Sequence, residues 1–111
     1  MTDLSLACAL TGPDFRARRD LILESFFNQR DGTEELANGY AFRFDDARRW
    51  AAPALEFIEI EQKCCPFFTF QLEFSPESGP LRLKLLGPEG VKEFIRNELG
   101  LLESDARHVA H

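Results

Sequence analysis

Hydrophobic residues along this chain recur with two different periods, and each change of period marks the boundary of an element. Alternating apolar and polar residues predict strands, whereas apolar residues three and four positions apart predict helices. The predicted strands occupy residues 4–10, 28–36, 40–44, 67–75 and 81–86. The predicted helices occupy residues 13–27, 53–64 and 87–99, and a glycine at position 100 is placed to end the last one.

The order of these elements is β-α-β-β-α-β-β-α, with no internal repeat and no linker. Such an order predicts an α+β fold, in which three helices cover one face of a largely antiparallel sheet of about five strands. A variant of the ferredoxin-like arrangement is the first expectation, and a different strand order with the same elements is the alternative. Residues 1–111 are predicted to form a single domain, in which residues 102–111 are a loose tail.

A tight hairpin is expected in the first half of the chain. Asn38 and Gly39 are a common pair in two-residue turns, and Tyr40 begins a clear alternation directly after them. The preceding residues 28–36 are polar and charged. We therefore expect the first arm of the hairpin to be an exposed edge strand.

The second helix contains a proline, which affects its predicted length. Asp45 or Asp46 can cap this helix, but Pro53 lacks the N–H group that a helical hydrogen bond needs. A kink or a restart is therefore expected at Pro53. The regular, stable part of the helix is predicted to be residues 53–64.

Charge and composition narrow the choice of partners. The formal net charge of −6 and the pI near 4.9 leave no basic patch for nucleic acid or an anionic membrane. No stretch is apolar enough to span a bilayer, and the first residues lack the basic segment of a signal peptide. We therefore predict a cytosolic protein with reduced thiols, and neither nucleic acid nor a membrane as its partner.

The second helix is followed by two adjacent cysteines and a proline, Cys64, Cys65 and Pro66. Proline disfavours helical angles in the residue before it, so the helix is expected to end near Cys64. Neighbouring Cα atoms are about 3.8 Å apart, which strains a disulfide between adjacent cysteines. The pair is therefore expected to be free, to share a soft ligand, or to be oxidised with the only third cysteine, Cys8.

Adjacent thiols favour a soft ion. Cys64 and Cys65 suit mercury(II), arsenite, zinc or copper(I) better than magnesium or calcium, and Cys8 can join them if its strand is a neighbour. The spacing lacks the paired CxxC pattern of a structural zinc site. The competing interpretation is that all three cysteines are small, inert, buried residues.

Glu61 is an acidic residue on the apolar face of the second helix, one turn before the cysteine pair. A carboxylate in that position must be paired, protonated or bound to something. One interpretation makes Glu61 a further metal ligand beside the thiols. The other makes it one half of an ion pair with an arginine such as Arg43.

Three functions stay open at this point. The leading one is a small cytosolic protein that binds a thiophilic metal or metalloid through Cys64 and Cys65, with Cys8 or Glu61 as a further ligand. The second is a structural or homo-oligomeric domain with inert cysteines. The third, a thiol enzyme acting on an electrophile or an organometal, is disfavoured because no general base stands out and a helix C-terminus raises a thiol pKa. We therefore predict no catalytic residue.

Several segments of this chain resemble segments of a family of small bacterial proteins of unassigned activity. The resemblance covers residues 6–99 and is specific over residues 61–70, which follow the pattern E-x-x-C-C-P-F-[LF]-T-F. Cys8, in the segment ACAL, matches a cysteine in the family's first strand. The chain departs at Lys63, where the family is more often acidic. The family is loosely associated with heavy-metal-resistance settings, and the resemblance implies no settled function.

Overall fold

The computed structural model describes residues 12–101. Its helices and strands confirm an α+β fold with three helices and an antiparallel sheet. The predicted first strand, residues 4–10, and the predicted tail, residues 102–111, lie outside the described residues. The elements are α1 at Pro13–Ser25, a 3-10 turn at Phe27–Gln29, β1 at Gly32–Leu36, β2 at Gly39–Phe44, α2 at Ala47–Cys64, β3 at Thr69–Phe74, β4 at Leu81–Leu86 and α3 at Val91–Glu98.

The four described strands form one antiparallel sheet in the order β1-β2-β4-β3. The finer prediction, about five strands in a ferredoxin-like arrangement, is not confirmed by these four strands. β1 lies at one edge of the sheet, as predicted, and its Glu34 and Glu35 pair with Arg82 and Lys92. Ion pairs therefore connect the charged edge strand to β4 and α3.

The core lies between the helices and one face of the sheet. Phe26 and Phe44 stack with ring centroids 4.5 Å apart, and Phe27 meets Phe42 edge-on at 4.7 Å. Arg96 of α3 donates a hydrogen bond to the Tyr40 hydroxyl on the same face of β2. The residues that follow α1 and a residue of α3 thus contact the same face of the sheet. The completely buried residues on that side are Tyr40, Phe42 and Phe44 of β2 and Leu81, Leu83 and Leu85 of β4.

β3 is covered less completely than the two central strands. Phe70 and Leu72 pair in register with buried leucines of β4, so they point to the same, core-facing side. Both are nevertheless only partly buried, and Phe74 at the end of the strand is 58% exposed. The core-facing side chains of β3 are therefore less covered than those of β2 and β4.

α2 continues through its proline. The helix runs without interruption from Ala47 with Pro53 inside it, so the expected restart at Pro53 is wrong. One cause is the cap, because the Asp46 carboxylate accepts a hydrogen bond from the Arg49 N–H. Another is Trp50, which packs against the aromatic core. Proline removes only one helical hydrogen bond, and these contacts hold the turn that precedes it.

The hairpin turn differs by one residue from the prediction. Ala37 and Asn38 form the turn, and Gly39 is the first residue of β2. A Cβ atom on Gly39 would lie 1.9 Å from the carbonyl oxygen of Leu85. Glycine is therefore needed here for the close approach of β4. No helix within residues 12–101 has both the length and the apolarity to cross a bilayer.

Candidate functional site

The last turn of α2 carries the adjacent cysteines into the protein interior. Cys64 ends the helix, as predicted, and both Cys64 and Cys65 are completely buried. The Cys65 N–H donates to the carbonyl of Glu61 at 2.6 Å, and the Phe68 N–H donates to the carbonyl of Cys65 at 3.2 Å. Backbone hydrogen bonds therefore close the helix end and lead the chain into β3.

The two neighbouring cysteines differ in chemical state. Cys64 is disulfide-bonded, whereas Cys65 is a free thiol. The prediction that all thiols are reduced therefore differs from the structure at Cys64. The physical reason is proximity, because a disulfide requires a second sulfur about 2 Å from Cys64. Cys8, the third predicted sulfur ligand, lies outside the described residues.

Glu61 is completely buried, as its position on the helix predicted, and its partner is an arginine. That arginine is Arg19 of α1, whose Nε donates to Oε2 at 2.6 Å and whose Nη2 donates to Oε1 at 3.2 Å. A further nitrogen of Arg19 lies 3.5 Å from the carboxylate of Glu98 on α3. The predicted partner, Arg43, instead pairs with Asp45 at the surface. The three helices are thus connected through one guanidinium.

The free thiol borders this ion pair. The Cys65 Sγ lies 3.9 Å from the Glu61 Oε1, a distance at which the S–H group can donate. Burial raises the pKa of the Cys65 thiol to about 12, and the Glu61 carboxylate adds to the rise while Arg19 opposes it. The thiol is therefore protonated at neutral pH and is a poor nucleophile in this state.

Arg19 keeps its charge in the interior. Burial by itself lowers the pKa of its guanidinium, but the hydrogen bond and the charge of Glu61 outweigh that effect, and the pKa is raised above the usual value. Every buried side-chain nitrogen or oxygen in the described part of the chain has a hydrogen-bond partner. The Arg19 guanidinium is thus satisfied by the Glu61 carboxylate, with the Glu98 carboxylate as a second, partly exposed partner.

The structure brings three of the four predicted site residues together, namely Glu61, Cys64 and Cys65. Across residues 12–101, no group of three or more His, Cys, Asp or Glu side chains is arranged to hold a metal ion. Metal binding therefore stays a prediction. Sequence reasoning missed Arg19, although a signal exists, because Arg19 shares a helical face with the apolar residues Ile22 and Phe26.

A separate pocket of about 240 Å³ lies between the β1–β2 turn and the start of α3. Asn38, Gly87 and Gly90 contribute to its wall, together with the acidic residues Glu89 and Glu93. Neither cysteine lines this pocket, and its two carboxylates disfavour an anion. Among the described residues, the candidate functional side chains therefore lie at the end of α2.

No protein-family model matches the chain, and comparisons with curated proteins and with solved structures found no match.

Proposed function

We propose that the reduced protein binds a soft, thiophilic metal or metalloid ion through Cys64 and Cys65, with Cys8 as the third sulfur ligand. The observation that carries this proposal is a disulfide-bonded Cys64 directly beside a free, buried Cys65. Reduction of that bond would give a second thiol next to Cys65 in the chain, and adjacent thiols suit a soft ion.

Chain length supports Cys8 as the partner of Cys64. Arg19 contacts Glu61, while Phe26 contacts Trp50, so α1 and α2 run antiparallel. The start of α1 is therefore beside the end of α2 that carries the cysteines. Cys8 precedes α1 by five residues, which is at most about 18 Å of extended chain. It is also the remaining cysteine of the sequence once Cys65 is known to be free.

We also propose that residues 4–10 add a fifth strand beside β3, giving a variant of the ferredoxin-like arrangement. Support comes from the thin cover of β3, where Phe74 is exposed and Leu72 is half-buried. Hydrogen exchange checks this point. Edge amides of β3 should be protected in the wild type and should lose protection in Leu6→Pro, because proline cannot join a strand ladder. Unprotected edge amides of β3 in the wild type would contradict the proposal of a fifth strand.

Glu61 was predicted as a further ligand, and we propose it as a weaker candidate ligand than the thiols. Both of its oxygens accept hydrogen bonds from Arg19, so coordination would require the guanidinium to move away. That exchange would leave the buried arginine with only the partly exposed Glu98 carboxylate beside it. The thiols therefore carry the proposal, and a direct bond between Glu61 and the ion stays a prediction.

Titration with ions tests the proposed function. Fully reduced wild type, the oxidised wild type, Cys8→Ser and the Cys64→Ser/Cys65→Ser double variant are titrated with arsenite, mercury(II), zinc and copper(I) against a competing small thiol. We expect one ion per reduced chain and a large loss of affinity in the oxidised protein and in the double variant. A smaller loss in Cys8→Ser would indicate a two-thiol site. Wild-type affinity equal to that of the double variant would contradict the proposal.

A structural domain with inert cysteines is the second candidate. The complete burial of Cys65 and its raised pKa favour it, because such a thiol is unreactive until the site opens. The same pKa argues against a thiol enzyme, which is the third candidate. The ion-binding proposal also requires a reducing compartment, so we propose the cytosol as its location. The resemblance to small bacterial proteins from heavy-metal-resistance settings agrees with this proposal.

A further inference from the structure

We infer that α3 is a hinged cover over the buried Cys65 thiol, and that it opens as a unit while the sheet and the other two helices stay folded. The position of α3 then determines whether a molecule from solvent reaches the thiol. This inference concerns access to Cys65, so it holds whether or not the proposed ion binding is correct.

α3 contacts the surroundings of Cys65 at two places, one helical turn apart. Phe94 packs edge-on against Phe67, two positions after Cys65, with ring centroids 5.0 Å apart. The Glu98 carboxylate lies 3.5 Å from the Arg19 guanidinium. Burial raises the pKa of the Cys65 thiol most, and the Glu98 carboxylate is near enough to add to the rise. Residues four positions apart share one side of a helix, so one face of α3 lies over the segment that carries the thiol.

α3 depends on its contacts with the rest of the protein to stay helical. It has eight residues and is the shortest of the three described helices, whereas an isolated helix needs roughly 12–15 residues to be even marginally stable in water. Its buried side chains are Val91 and Ile95. α2, by comparison, has 18 residues and buries five side chains. We therefore expect α3 to detach from the core at a lower cost in free energy than α2.

Polar contacts hold α3 against three different elements of the fold. The pairs are Lys92 with Glu35 of β1, Arg96 with Tyr40 of β2, and Glu98 with Arg19 of α1. The Lys92 and Glu98 side chains are 29% and 35% exposed, so water and salt reach two of these three contacts. Exposed ion pairs are weak and are screened by salt. The attachment of α3 is therefore weaker at high ionic strength.

A glycine at the start of α3 provides the hinge. Gly90 caps the helix with a φ of 94°, a left-handed conformation that residues with a side chain rarely adopt. The loop before it is fixed, because the Gly87 N–H donates to the carbonyl of Asn38 at 3.0 Å. Rotation at Gly90 would therefore move α3 while β4 stays in the sheet.

Alkylation of Cys65 by N-ethylmaleimide measures the opening. The protein keeps its disulfide, the pH is fixed, and peptide mass spectrometry locates the label. We expect the labelling rate to rise about two- to fivefold in Lys92→Met, because the loss of a partly exposed ion pair weakens the docking of α3. Lys84→Met is the matched control, because Lys84 pairs with Glu73 on the outer face of the sheet. It should leave the rate unchanged.

The direction of this change separates opening from a direct charge effect. Removing a cation raises the pKa of a nearby thiol and slows its alkylation. A faster reaction in Lys92→Met therefore reports greater exposure of the thiol. A rate in Lys92→Met equal to that of the wild type, or a rate raised equally in Lys84→Met, would overturn the inference.

The wild type alone provides a further test. Labelling should rise only weakly with urea at low concentrations, because the opening of one helix exposes much less surface than global unfolding. Amide hydrogens of α3 should also exchange faster than those of α2. Labelling with the urea dependence of global unfolding, or α3 amides as protected as those of α2, would contradict the inference. No metal ion is present in either experiment, so these outcomes are separate from that of the ion titration.

Discussion

Two sets of ion pairs place the same chemical groups in opposite surroundings. On the outer face of the sheet, Arg82 pairs with Glu34 and Glu73, and all three side chains are partly exposed. In the interior, the Glu61 side chain is completely buried and its partner Arg19 is only 9% exposed. Exposed pairs contribute little because solvent screens them, whereas neither member of a buried pair can be removed cheaply. A buried ion pair adds little net stability to a protein. The contact of this pair with the Cys65 thiol is therefore more informative about function than its contribution to stability.

The largest predicted effect comes from removing one buried partner. Glu61→Ala should lower the free energy of unfolding by about 3–5 kcal/mol, because it leaves the buried Arg19 guanidinium with only the partly exposed Glu98 carboxylate to offset its charge. Urea unfolding of the protein with its disulfide intact measures this loss. A loss below about 1 kcal/mol would mean that Arg19 finds water or another partner, and that the interior pair behaves like a surface pair.

A pH-dependent effect follows from the buried thiol. The folded-state pKa of Cys65 is raised to about 12, above the usual value of 9.0, so folding favours the protonated thiol. The resulting stabilisation is complete below pH 9 and is lost as the pH rises towards 12. We expect the free energy of unfolding to fall by up to about 1.4 kcal/mol per pH unit in this window.

Cys65→Ala is the control for this measurement, because it lacks the thiol but shares every other group of the wild type. The difference in unfolding free energy between wild type and Cys65→Ala should shrink between pH 9 and 12. A constant difference across that range would show that the Cys65 thiol has an ordinary pKa in the folded protein.

A smaller effect is expected on the outer face of the sheet. Arg82→Ala removes the ion pairs with Glu34 and Glu73 and should lower the free energy of unfolding by less than about 1 kcal/mol. Thermal unfolding at low salt and at about 1 M salt checks this, because salt should abolish most of the difference. A large loss that salt does not change would show that Arg82 is important for packing instead.

The smallest expected change comes from replacing both members of the buried pair. Arg19→Met/Glu61→Leu should keep the free energy of unfolding within about 1 kcal/mol of the wild type, or raise it, because apolar side chains of similar size need no partner. Urea unfolding beside Glu61→Ala gives the comparison. A double variant as unstable as Glu61→Ala would mean that the pair fixes the packing of α1 on α2 by its shape.

The sequence was informative wherever a local pattern decided the structure. Period and capping predicted the three helices and four strands of the described residues but not the 3-10 turn at Phe27–Gln29, and the phase of α2 predicted that Glu61 is buried. The partner of Glu61 was missed because Arg19 lies 42 positions away on another helix. The effect of Pro53 was overestimated because tertiary contacts of Trp50 support the turn before it. The disulfide at Cys64 depends on proximity in space, which no local pattern contains.

The central claim is that the reduced cysteines form one sulfur site for a soft ion, and arsenic X-ray absorption tests it most directly. Reduced protein is mixed with one equivalent of arsenite, separated from free arsenite, and measured at the arsenic edge. The account predicts bound arsenic with three sulfur neighbours and no oxygen neighbours, and two sulfurs with one oxygen in Cys8→Ser. Arsenic that stays unbound, or that keeps only oxygen neighbours in the wild type, would contradict the claim.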